Sequence, residues 1–267
     1  MESIINYFQS LDINFKLFFT AVGALIVALL ALAVVGRFIF GKRSTLCRAV
    51  SSAIGILFIY AITIVLGGAG EEFQKFLAPL PFVTYAGDTM VLFSFQADYT
   101  VICSQVLSMI ILAFLVNLVN RWMPQGKKLF SWLFFRILSV ALGMVAFAGA
   151  NYLLTMFLPE GLLTWAPVIL LGLLVVMLLV GALKGLMGAV LATVNPLIGF
   201  LYTFFFANVV GKMLTRAMLT TVLLTALVCG LNYLGVAGLA IGTAVLVAYI
   251  PLLLLLLVLW FIVGKLL

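Results

Sequence analysis

The chain has no histidine. That removes the commonest general base, proton relay and metal ligand. Acids are scarce too: Glu2, Asp12, Glu71, Glu72, Asp88, Asp98 and Glu160 are all there are. None lies in the middle of an apolar run, and none follows Glu160. Carboxylates inside a membrane segment usually mark proton or ion coupling, and that mark is missing. The cysteines, Cys47, Cys103 and Cys229, are scattered. No pair has zinc or redox spacing, so they read as small packing residues. Together these gaps argue against an enzyme and against any metal or cofactor, because hydrolysis or transfer needs a base, a metal or a paired acid. Glu71, Glu72 and Asp88 allow a surface site, but a solvated acidic loop explains them more simply.

Apolar residues are abundant. They make up 67% of the 267 residues, and only 8% are charged. Apolar runs of about 20 residues recur from Leu17 onward, and a helix of about that length crosses the hydrocarbon core. The fold class expected is therefore all-α, a polytopic transmembrane helix bundle. The net charge of +7 does not point to nucleic acid, because the cations sit at the ends of apolar segments and no soluble basic domain holds a duplex. Setting topology and meeting anionic lipid account for them better. Ala31-Leu32-Ala33 fits a signal-cleavage pattern. However, Glu2 and Asp12 outweigh Lys16 before it, and Arg37, Lys42, Arg43 and Arg48 come after it. That order anchors a first helix rather than releasing it.

Along the chain, residues 1–16 place Ile4, Ile5, Phe8 and Leu11 on one face, which suits an interfacial helix. A first membrane half, 17–161, holds helices at about 17–36, 49–70, 99–120 and from the Lys127-Lys128 turn to about 158. A second half, 162–267, holds helices at about 162–183, 186–211, 217–234 and 239–264. That is seven to eight membrane segments. The sixth is broken or re-entrant at Asn195-Pro196, because proline removes a helical N–H and frees the carbonyl four residues back.

Short loops rich in Lys and Arg stay cytoplasmic. Residues 37–48 and 121–136 each carry +4, and residues 71–98 carry −3. The first two are expected inside and the third outside. The N-terminus then starts outside and the C-terminus ends in the cytoplasm. Lys184 falls inside, and a full sixth crossing would put Lys212 and Arg216 outside, against the rule. A re-entrant sixth segment removes the conflict, and so does laying 212–225 along the outer surface. The re-entrant form is preferred.

Four segments end alike, at Val35-Gly36-Arg37, Val119-Asn120-Arg121, Val210-Gly211-Lys212 and Val263-Gly264-Lys265. Blocks 48–121 and 184–265 both open with a cation and small residues. A degenerate duplication of the kind found in proteins that move one repeat against another accounts for this, and so does low complexity. The stretch Leu183-Lys184-Gly185-Leu186-Met187 into Asn195-Pro196-Leu197-Ile198-Gly199-Phe200 resembles the opening of the colicin V production protein family of bacterial inner-membrane proteins. Arg48 into 49–70 does so as well. The 99–120 helix, Lys127-Lys128 and Leu129 to Arg136 resemble that family's closing pair. The resemblance implies a four-helix membrane module linked to toxin production or envelope physiology in the bacterial cytoplasmic membrane. It carries no catalytic residues.

Candidate positions follow from chemistry. Asn195 and Pro196 offer freed carbonyls for a pathway, or a simple kink. Gln105 and Asn151 are deep polar side chains, suited to a pathway or to packing between helices. Gly181-x-x-x-Gly185, Ala207-x-x-x-Gly211 and Gly238-x-x-x-Gly242 match the small-xxx-small pattern of close helix contact. Trp122, Trp132 and Trp260 sit near cationic ends and read as anchors. The function expected is a non-enzymatic membrane component, a scaffold or partner subunit of an export or envelope assembly. The alternative is a transporter or channel for a small or lipid-like cargo using the broken sixth helix. The partners expected are the lipid bilayer and other membrane proteins or further copies of the chain.

Overall fold

The structure is a computed structural model. It describes residues 15–40, 45–67, 80–81, 83–86, 89–92, 98–123, 129–157, 161–203, 209–233 and 243–266. Eight helices appear among them: α1 (Phe15–Phe40), α2 (Thr45–Gly67), α3 (Tyr99–Trp122), α4 (Leu129–Phe157), α5 (Gly161–Val194), α6 (Pro196–Leu201), α7 (Gly211–Tyr233) and α8 (Thr243–Leu266). An antiparallel hairpin, β1 (Val83–Ala86) and β2 (Thr89–Leu92), pairs Ala86 with Thr89 and Val83 with Leu92. It lies in the stretch read as an acidic loop, and its Val, Thr and Tyr residues suit a pleated backbone. The expected interfacial helix at 1–16 falls almost wholly outside the described residues.

Helices α3 and α7 form the centre. The first packs on α2, α4, α5 and α7; the second also meets α1, α5 and α8. Their apolar stretches are each 67% buried, against 24% for the apolar stretch of α4. Polar residues follow the same gradient. Gln105, Ser108 and Asn117 on α3 are buried, as are Thr215, Thr220, Thr221 and Thr225 on α7. The outer helices expose large apolar side chains such as Phe38, Val145, Val168, Leu171 and Leu254. Between helices in lipid there is no hydrophobic driving force, so close packing and hydrogen bonds hold a bundle together. Polar groups inside and apolar groups outside are the arrangement that this solvent selects. Three helices among the described residues are long and apolar enough to cross a membrane: Tyr99–Trp122, Ile137–Leu154 and Gly211–Gly230.

The second half departs from the sequence expectation. No helix ends at Lys184-Gly185; α5 continues from Gly161 to Val194. The expected fifth helix and the front of the sixth are one element. A glycine inside a helix costs about 1 kcal/mol, whereas opening backbone hydrogen bonds in an apolar setting costs several. Continuation is the cheaper outcome.

Candidate functional site

Three cations from three helices meet at one end of the bundle, and hydrogen bonds one helical turn deeper fix them there. Arg48 is in the first turn of α2. Four residues on, Ser52 Oγ lies 2.7 Å from Asn117 Oδ1 and 3.1 Å from the Arg48 carbonyl oxygen, so its proton goes to one or is shared. Asn117 Nδ2 donates to the Ala113 carbonyl at 2.7 Å. Four residues beyond Asn117 comes Arg121, in the last turn of α3. On α7, Thr220 Oγ1 lies 2.8 Å from the Arg216 carbonyl and 3.4 Å from the Ala49 carbonyl. The end of α3 and the beginnings of α2 and α7 are thus braced together. Arg48 and Arg121 are exposed, Arg216 is half-buried, and Lys212 is exposed in the first turn of α7. Arg216 Nε is buried without a hydrogen-bond partner. Asp98 is the only acid among the described residues. It caps the opposite end of α3, about 35 Å from Arg121 at 1.5 Å per residue.

Two of the remaining threonines of α7 bond within their own helix. Thr215 Oγ1 donates to the Lys212 carbonyl at 3.0 Å, and Thr221 Oγ1 to that of Ala217 at 2.9 Å. Such bonds to an earlier turn let a hydroxyl sit in an apolar bundle. Thr225 Oγ1 is buried without a partner.

The far end has its own braces. The Tyr249 hydroxyl on α8 donates to Gln105 Oε1 on α3. The Tyr60 hydroxyl on α2 donates to the carbonyl of Pro81, which precedes the hairpin in the chain, and Leu80 beside it joins the core. Asp98 accepts from the Thr100 amide at 2.9 Å and hydroxyl at 2.7 Å. Those two bonds hold its exposed carboxyl below the usual carboxylate range, the hydroxyl contributing most.

Asn195 and Pro196 stand apart from these sites. Asn195 is extended (φ −155°, ψ 118°), and its Oδ1 accepts from the Leu197 amide at 2.9 Å. Its backbone N–H donates to the Leu191 carbonyl. Both residues are exposed, in a capped joint between α5 and α6. Gln105 and the half-buried Asn151 lie on neighbouring helices, both towards the Asp98 end.

Of the small-xxx-small residues, Gly211 is buried at the start of α7, and Gly181 and Gly185 lie within the continuous helix of α5. Ala207, Gly238 and Gly242 fall outside the described residues. The tight approaches lie elsewhere. A Cβ at Gly143 on α4 would meet Val116 Cγ2 at 2.7 Å and Val116 Cα at 3.1 Å. A Cβ at Gly199 on α6 would meet the Ala192 backbone at 2.7 Å, so α6 folds back against α5.

The arginine cluster and the Ser52–Asn117 brace were not among the sequence candidates. Their signal is a repeated spacing: Arg48 and Ser52, Asn117 and Arg121, Arg216 and Thr220, each four residues apart. No protein-family model, curated protein or solved structure matches this chain.

Proposed function

We propose that the protein is a non-enzymatic, multi-pass membrane component that serves as a scaffold or partner subunit, docking another membrane protein on its α5–α6 arm. The observation that carries the reading is the shape and surface of that arm. At 34 residues, α5 is about 51 Å long, against a hydrocarbon core of about 30 Å. Its last turns and α6 expose Leu186, Val190, Val194, Leu197 and Phe200, and α6 packs chiefly on α5. An exposed apolar hairpin that continues α5 past the hydrocarbon on the cytoplasmic side suits the apolar face of a partner's helix at the membrane surface.

The topology proposed has seven crossings: α1 to α5, α7 and α8. The three long apolar helices and the shorter apolar stretches Ile26–Gly36, Thr45–Leu57, Thr164–Leu173 and Val247–Val258 support it. Counting α5 as one crossing removes the charge conflict. With the N-terminus outside, every cation except Lys16 and Lys75 falls on the cytoplasmic side, twelve of fourteen, and all seven acids fall outside. The positive-inside rule then holds throughout, and no re-entrant segment is required. The C-terminus is cytoplasmic. Placement in a bacterial cytoplasmic membrane, within an export or envelope assembly, rests on the resemblance to the colicin V production family.

A transporter built on Asn195-Pro196 is the reading this displaces, because Asn195 Oδ1 is engaged in capping and the joint faces outward. The test is photo-crosslinking in living cells from benzoylphenylalanine at positions 197 and 200, with position 168 on the outer face of α5 as control. A discrete protein adduct at 197 and 200 but not at 168 is the expected result. Lipid adducts alone at all three positions would reject the docking role.

A further inference from the structure

We infer that Arg48, Arg121 and Arg216 form a binding site for a phosphate-bearing anion where α2 and α7 begin and α3 ends. The inference goes beyond the docking role and is independent of it.

Three features carry it. First, the cluster is built rather than incidental: Ser52–Asn117 and Thr220–Ala49 tie the three helices one turn below the arginines. Second, no described carboxylate neutralises them, because Asp98 is at the other end of α3. The charges of Arg48 and Arg121 are near enough to act on Arg216, so like charges are held together at a cost that a bound anion would offset. Third, Arg216 Nε is buried with no acceptor. A guanidinium donates through a planar fork that matches phosphate oxygens two at a time, and the Nε–H is one tine of that fork. The amino ends of α2 and α7 add partial positive charge, and Lys212 stands at the rim.

A phosphate on a lipid headgroup and a free phosphate share this chemistry. On the proposed topology the cluster faces the cytoplasmic leaflet, where anionic lipid is concentrated.

The experiment uses the full chain purified in an uncharged detergent. Its thermal midpoint is followed while phosphatidylglycerol, phosphatidylcholine or inorganic phosphate is titrated, for wild type, Arg216→Gln, Arg216→Lys and Arg121→Gln. Phosphatidylglycerol is expected to raise the wild-type midpoint where phosphatidylcholine does not. Arg216→Gln is expected to weaken that response about tenfold or more, with Arg216→Lys falling between. A response to inorganic phosphate alone, lost in the same variants, identifies a free anion as occupant and also supports the site. Arg121 is exposed at a helix end, so Arg121→Gln folds and keeps the test valid if Arg216→Gln does not. The inference is overturned if neither anion shifts the midpoint, or if both variants respond as wild type does.

Discussion

Ser52 and Asn117 make the clearest single interaction of the bundle, and their worth can be measured. Interhelical hydrogen bonds in membrane proteins contribute about 0.6 kcal/mol on average and up to about 1.7. A double-mutant cycle with Ser52→Ala and Asn117→Ala, read by reversible unfolding in mixed micelles, is expected to give a coupling of about 1 kcal/mol. A coupling near zero would mean that the buried pair contributes shape only. At the other end, the Asp98 carboxyl is held low by Thr100, so the folded state favours the ionised form. Its contribution is present above the unfolded pKa of about 3.9 and is lost as pH falls through the lower folded value. Asparagine keeps the cap without the charge. The Asp98→Asn variant is expected to have a slightly lower thermal midpoint than wild type at pH 7, and the gap is expected to narrow as pH falls below about 4 towards the lower folded value. A gap that does not narrow as pH falls below the unfolded pKa would contradict this assignment. At this scale the sequence is half legible. It displays Gln105 and Asn195 as polar residues in apolar runs. It does not display their partners, because Tyr249 is 144 positions from Gln105 and only the packing of α8 on the bundle brings them together.

Helix contacts give sharper tests. Gly143 lies where α4 touches the α3 backbone at Val116, while Gly149 has open space around it. Gly143→Ala is expected to destabilise the protein by about 1–3 kcal/mol through overpacking. Gly149→Ala is expected to be neutral or to stabilise by up to about 1 kcal/mol through helix propensity. Unfolding of the two variants side by side decides the matter, and equal effects would contradict the packing of α4 on α3. On the arm, a Cβ at position 188 would lie 2.6 Å from Thr203 Cγ2, within disulfide reach. In a background lacking the native cysteines, the pair Gly188→Cys and Thr203→Cys is expected to crosslink on oxidation. Adding Gly199→Ala, which pushes α6 away from Ala192, is expected to reduce that yield. The small-xxx-small pattern pointed to other glycines because apolar sequences rich in small residues match it often. Which glycine meets a neighbour depends on each helix's rotation, and one chain's sequence does not encode that locally. Lys184-Gly185 misled for a related reason. A cation and a glycine end many helices, but here α5 runs on past them to Val194.

For the molecule as a whole, the apolar composition made a helical membrane bundle legible from the sequence alone, since length and hydrophobicity are local properties. The order of charges was equally plain, but its meaning depended on the number of crossings between Lys184 and Lys212. Treating α5 as one helix supplies a consistent count, and every cation-rich helix end then shares a face with Arg48, Arg121 and Arg216. That shared face is the central claim, and labelling of single cysteines in intact cells tests it directly. Cysteines at positions 98, 121 and 212, each in a cysteine-free background, would be exposed to a membrane-impermeant maleimide before and after permeabilisation. Position 98 is expected to label in intact cells, and positions 121 and 212 only after permeabilisation. Labelling of position 212 from outside, together with 98, would contradict the seven-crossing topology and the common cytoplasmic end built upon it.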